Sequence, residues 1–203
     1  NFYRELPFNY GSATNRATAI RETNPISIYG QLGKVIEDSS NIIDIGSGVG
    51  WFVNTVAYRY KKSALGIDLS DKAVIRAREI SEELGVETFT KFELGDIFEY
   101  RVLNQFDLVN SIGVLHHTYD CKFAFNMISS WVKNGGYLHI GLYHDYGRKP
   151  FLELFENIRK KIVEDIQITK DEYNSAYNKY KELNKEIEDE EFLMSWFRDQ
   201  VLH

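Results

Sequence analysis

Ile42-Ile43-Asp44-Ile45-Gly46-Ser47-Gly48-Val49-Gly50-Trp51-Phe52 runs from an apolar tetrad through alternating glycines into a helical pattern. The tetrad reads as a short buried strand, and residues 51–60 read as the helix that follows the turn. Glycines in such a turn let backbone approach a ligand closely. The first turn of the helix offers unpaired N–H groups and a positive dipole end to the same place. The glycine spacing is Gly-x-Gly-x-Gly, whereas a dinucleotide fingerprint puts its third glycine one residue later. Asp44 inside the strand adds a carboxylate beside the turn.

Downstream of this unit the pattern repeats. Ala64–Ile67 reads as a strand, and Asp71–Leu84 as a helix stopped by Gly85. Glu87–Leu94 and Phe106–Ser111 read as the third and fourth strands. Cys121–Val132 follows as a helix, and the turn Asn134-Gly135-Gly136 leads into a fifth strand, Tyr137–Tyr143. Upstream, Asn24–Ile36 reads as a helix with Pro25 in its first turn. Strands alternating with helices predict an α/β fold with a doubly wound, mostly parallel sheet. A ligand then belongs beyond the carboxyl ends of the strands, where strand order reverses.

After Pro150 the strand signals cease. Phe151, Leu154, Phe155, Ile158 and Ile162 fall on one helical face; Tyr173, Tyr177, Tyr180, Leu183 and Ile187 mark a second. These helices are expected to pack on the domain, on a second copy of the chain as a homodimer, or over a substrate as a cap. The organisation expected is therefore residues 1–149 as a ligand-binding domain and 150–203 as a helical insertion or cap.

Composition narrows the function classes. The 203 residues are 43% hydrophobic, enough for one α/β domain with a sizeable core. A formal charge of −6 disfavours broad binding to nucleic acid or acidic lipid. The single cysteine, Cys121, excludes an intrachain disulfide framework. No stretch approaches the roughly 20 apolar residues of a membrane span. A cytoplasmic protein is the expectation, with a lost leader left open by the start at Asn1. No metal is assigned to any residue.

Two further acids follow the glycine turn in order. Asp68, about 20 residues on and at the end of the second strand, can accept from ribose hydroxyls, or cap the next helix. Asp96, in Leu94-Gly95-Asp96-Ile97 at the third strand end, can accept a purine amine, or merely shape a turn.

Taken together these pieces resemble the class I S-adenosylmethionine-dependent methyltransferase family, over roughly residues 30–145. The resemblance implies a Rossmann-like fold and S-adenosyl-L-methionine as cofactor. It implies that Asp44, Gly46, Ser47, Gly48 and Gly50 hold the methionine end, Asp68 and Leu69 the ribose, and Asp96 and Ile97 the adenine. Phe106–His117 is similar to the family's fourth strand, whose Leu-His-His ending is found largely in members acting on small molecules; Asn110 and Ser111 would lie beside the methionine portion. Lys133–Leu138 matches the turn before the fifth strand, with Asn134 where proline is frequent. The family's sixth and seventh strands are not found before His203, so the resemblance implies a helical insertion after the fifth strand and either a sheet completed beyond the chain end or a shortened form of the fold.

The acceptor is expected to be a small molecule. A base is needed only where the acceptor loses a proton, and His117, His116, Tyr143 and His144 are the candidates. Tyr3, Phe8 and Tyr10 read either as a lid over the cofactor or as core, and Arg4 or Arg16 as partners for its carboxylate. Two other readings stand beside the small-molecule enzyme: a methyltransferase for protein or RNA, and a module that binds the cofactor, or a nicotinamide nucleotide, without catalysis.

Overall fold

The computed structural model describes residues 2–202. It divides into two compact units: the chain up to Pro7 with Ala13–Leu142, and Phe8–Ser12 with Tyr143 onward.

The first unit holds a five-stranded sheet: β1 Ile42–Ile45, β2 Ala64–Asp68, β3 Thr90–Leu94, β4 Phe106–Ile112 and β5 Val132–Gly141. The strand order is β3-β2-β1-β4-β5 with every pairing parallel. Its helices are α1 Phe2–Glu5, α2 Ala13–Glu22, α3 Leu32–Asp38, α4 Trp51–Tyr60, α5 Asp71–Leu84 and α6 Cys121–Ser129. Alternate residues of β1 serve opposite faces, as the strand period requires. Ile42 joins Phe52, Val53 and Val56 of α4 and Val74 and Ala77 of α5 in one apolar cluster. Ile43 and Ile45 join Ala124 and Ile128 of α6, with Trp131, in the other. Helices on both faces make the sheet doubly wound, and the order reverses between β1 and β4.

Local chemistry explains the best-defined boundaries. The Ser70 side chain accepts from Ala73 N–H at the start of α5, and Gly85, at φ +66°, closes its end. Several predicted boundaries moved. The helix expected over Asn24–Ile36 is broken at Gly30, with φ +56°; a 3₁₀ turn Pro25–Tyr29, capped by the Asn24 side chain, precedes α3. β3 starts only at Thr90 because Phe89 N–H donates to Val86 C=O in a turn. α6 ends at Ser129 rather than Val132, since Val132 pairs with Phe106 as the start of β5. β5 accordingly takes in the glycine turn and ends at Gly141, leaving Tyr143 outside the sheet.

The second unit comprises α7 Asp145–Glu153, α8 Glu156–Val163, α9 Lys170–Leu183, α10 Glu190–Phe197 and a π-helical turn Arg198–Leu202. Its core is Phe155, Ile158, Tyr180, Leu193, Phe197 and Val201. The single face expected for residues 151–162 is divided, because the chain leaves helical geometry at Phe155 and Leu154 turns outward. Phe8 packs on Trp196, whose indole N–H donates to Asn9, so this N-terminal segment belongs to the second unit's packing. Among the described residues no helix is long and apolar enough to cross a membrane.

Candidate functional site

The glycine turn follows β1 at the reversal of strand order. It is pinned from beneath by Gly46 and Ser47 N–H groups, which donate to Ile67 C=O at 2.8 and 3.0 Å. Gly46, Gly48 and Gly50 all have φ between +53° and +76°. At two of them space as well as backbone requires glycine. A Cβ at Gly46 would come 2.4 Å from a Val114 methyl, and one at Gly50 would meet the Phe92 ring at 2.7 Å.

The predicted acids take different places around this turn. Asp68 accepts from Gly48 N–H through Oδ2 at 2.8 Å and from Ser70 N–H through Oδ1 at 2.9 Å. It is therefore a brace between the turn and the start of α5, and each oxygen keeps lone-pair capacity for a further donor. Burial raises its pKa although the backbone N–H groups oppose this. Asp96 spends Oδ1 on Phe98 N–H at 2.8 Å, the turn role, and is half-buried with a second oxygen outside that bond. Gly95 N–H donates to Asp68 C=O, which ties the β2 and β3 tips together. Leu69 is 48% exposed beside Asp68, and Ile97 packs against the α6-side core.

Asp44 is buried, and burial pushes its carboxyl up to about 8; the Asn110 amide opposes the rise and nearby Asp68 adds to it. Asn110 Nδ2 donates to Asp44 Oδ1 at 2.7 Å, and Ser111 Oγ donates to Ile45 C=O at 3.3 Å. One buried and one half-buried acid thus share this end of the sheet, and none of the ion pairs among the described residues involves either. Such a pair favours a cationic ligand. Ser47 Oγ is buried without a hydrogen-bond partner among the described residues. No group of His, Cys, Asp and Glu among them is arranged to hold a metal ion.

The four base candidates do not form one cluster within either unit. His116 and His117 lie on a 3₁₀ turn, Leu115–His117, directly after β4, with ring centroids 4.0 Å apart and Tyr3 at 5.4 Å from His117. Tyr143 and His144 belong to the second unit. There the Tyr143 hydroxyl donates to buried Asp199, Arg148 lies 3.9 Å over its ring, and His144 Nδ1 caps α7 by accepting from Gly147 N–H. Burial and Asp199 push the Tyr143 hydroxyl further above its ordinary range.

The site also includes a residue with no motif of its own, His139. His139 on β5 is in register with Asn110, which is in register with Asp44, so the three form a polar row across adjacent strands. His139 Nδ1 is 2.7 Å from Asn110 Oδ1. The signal is a polar residue within each of three strands, and it is visible only once the strands are aligned.

Comparison with known proteins agrees with this geometry. A family model described as a methyltransferase domain matches residues 36–197. Norajmaline N-methyltransferase of Rauvolfia serpentina is 32% identical over 128 residues, covering 62% of this chain and 44% of that protein. Phosphoethanolamine N-methyltransferase 1 of Arabidopsis thaliana is 26% identical over 127 residues, covering 62% and 26%. Across the curated relatives it matches, the chain spans less than half their length. A solved methyltransferase from Thiobacillus denitrificans, in complex with S-adenosyl-L-homocysteine, shares the fold at a TM-score of 0.50 and 22% identity, over 66% of this chain and 56% of that one. With its glycine turn and sheet order inside the matched span, the chain belongs to the methyltransferase domain family.

Proposed function

We propose that this protein binds S-adenosyl-L-methionine at the β1–β4 reversal and transfers its methyl group to a small-molecule acceptor. The observation that carries the reading is the brace from Asp68 to Gly48, which holds a ribose-type acceptor and an anion-tolerant turn in one place. The residues fit the cofactor on a second count. Buried Asp44 and half-buried Asp68 lack an ion-pair partner among the described residues, and the ligand carries an ammonium and a sulfonium.

When bound, S-adenosyl-L-methionine supplies an activated methyl on a positively charged sulfur, so the difficult chemistry is the cofactor's own. Gly46, Ser47, Gly48 and Gly50 with Asp44, Asn110 and Ser111 would hold its methionine end. Asp68 and Leu69 would take the ribose, Asp96 and Ile97 the adenine. The chain's remaining work is to orient an acceptor and exclude water. His117, on the 3₁₀ turn that follows β4, is the base we assign for an acceptor that must lose a proton. His116 stands beside it; Tyr143 and His144 are weaker candidates because each already has a structural partner in the second unit. The relatives named as N-methyltransferases of phosphoethanolamine and norajmaline support a nitrogen acceptor. The acidic balance argues against RNA.

Calorimetry with S-adenosylhomocysteine and with NAD tests the cofactor, and binding of NAD alone would reject it. Transfer of labelled methyl into pools of amines, peptides and tRNA tests the acceptor class. Label appearing only in peptide or tRNA overturns the small-molecule reading, and binding without transfer to any pool favours a non-catalytic module.

A further inference from the structure

We infer that His139 is a positioning residue: its Nδ1–H sets the direction of the Asn110 amide and thereby keeps Asp44 a hydrogen-bond acceptor toward a cationic ligand. The inference rests on the cofactor site proposed above and adds a residue to it.

The argument is one of directionality. Asp44, Asn110 and His139 are side by side on β1, β4 and β5, linked by contacts of 2.7 Å at each step. Asn110 is 1% exposed, so its amide has little recourse to water. An amide has one accepting end and one donating end. With a hydrogen on His139 Nδ1, the Asn110 oxygen must face His139 and its NH₂ must face Asp44, whose Oδ1 accepts whether or not the other carboxyl oxygen carries a proton. With Nδ1 bare, the amide turns over, its oxygen meets Asp44, and the carboxyl must carry a proton to satisfy it. The row therefore has two self-consistent states, and only the first allows Asp44 to give up its proton to become a charged acceptor when a cationic ligand arrives.

The imidazole is held for this role from outside the row. The Tyr29 ring meets it edge-on at 5.2 Å and itself stacks on Trp51, the first residue of α4, at 6.3 Å. Burial lowers the pKa of His139, so the neutral ring is favoured and its tautomer carries the information. The titratable neighbours are Tyr29 for His139 and Asp68 for Asp44; Tyr29 is raised by burial and stays neutral, while Asp68 disfavours the charge that the amide supports.

Two experiments decide the matter. Nitrogen NMR of the labelled imidazole reads the tautomer directly in the folded, unliganded protein. A hydrogen on Nδ1 is expected, and a bare Nδ1 overturns the inference whatever the binding results are. Separately, calorimetry follows S-adenosylhomocysteine affinity against pH in wild type, His139→Leu and His139→Asn. Leu removes the donor; Asn places an amide N–H near the position of Nδ1. The Leu variant is expected to lose about tenfold in affinity at neutral pH and to need higher pH for full binding, with Asn restoring most of both. A Leu variant with the wild-type pH profile overturns the role. Wild type that binds no S-adenosylhomocysteine defeats the cofactor reading instead, and the tautomer then stands or falls on the NMR result alone.

Discussion

A carboxylate at a strand tip is informative in proportion to what else it must do. Asp68 is occupied on both oxygens by backbone N–H groups, so its value as a ligand group and its value as a brace cannot be separated by geometry. Asp68→Ala is expected to weaken S-adenosylhomocysteine binding by about 1–3 kcal/mol, measured by calorimetry; unchanged affinity would leave the brace as its sole role. Asp44 makes a sharper case. Its carboxyl, raised to about 8, binds a proton in the folded state across a range where an unfolded aspartate, near 3.9, does not. Its contribution to stability is therefore greatest at low pH and falls as pH rises from about 4 towards about 8. Asp44→Asn removes that liability: at pH near 8 the unliganded variant should melt several degrees higher, a gain on the order of 1 kcal/mol, while cofactor affinity drops. A variant less stable than wild type at that pH would contradict the buried-charge account. These acids, and the glycines between them, were legible in the sequence because their chemistry is local to one strand and its turn. His139 was not, because its meaning depends on which residues of β1 and β4 lie opposite it.

At the scale of elements, caps and glycines decided what could be read. α4 and α5 came out with the boundaries expected, since Gly50, Ser70 and Gly85 mark their ends chemically. Elements whose limits depend on pairing elsewhere did not. Val132 looks like the end of a helix until Phe106 claims it for the sheet, and the small 3₁₀ turn before α3 is separated only by the backbone of Gly30. The glycines themselves differ in what they guard, and substitution can distinguish them. At Gly85 the conformation is left-handed but nothing lies within 4 Å of an added Cβ, so Gly85→Ala should cost about 1–2 kcal/mol from backbone strain alone. At Gly46 the same strain is joined by a collision with Val114, and Gly46→Ala should cost about 2–4 kcal/mol and lose cofactor binding as the turn shifts. Denaturant melts of the pair check this. Equal costs would mean that the Val114 side of the turn yields freely.

Across the whole molecule, the parallel sheet was readable because alternation of strand and helix leaves few alternatives, whereas the division into units was not. The expected boundary at residue 149 followed the change in hydrophobic period after Pro150, but compactness divides the chain at Tyr143 and draws Phe8–Ser12 into the second unit. Those residues gave no periodic signal; their allegiance rests on single contacts such as Trp196 to Asn9 and Ser12 N–H to Asp189. The division bears directly on Tyr143, read from the sequence as a base and found donating to buried Asp199. Tyr143→Phe keeps the ring under Arg148 and deletes only the hydroxyl, which should destabilise the second unit by about 1–3 kcal/mol. Amide hydrogen exchange resolves the outcome by unit. A structural hydroxyl predicts faster exchange in the helices from α7 onward, unchanged protection in β1–β5, and S-adenosylhomocysteine affinity equal to wild type. A catalytic hydroxyl predicts the reverse: exchange unaltered in both units, with methyl transfer slowed at saturating cofactor and acceptor.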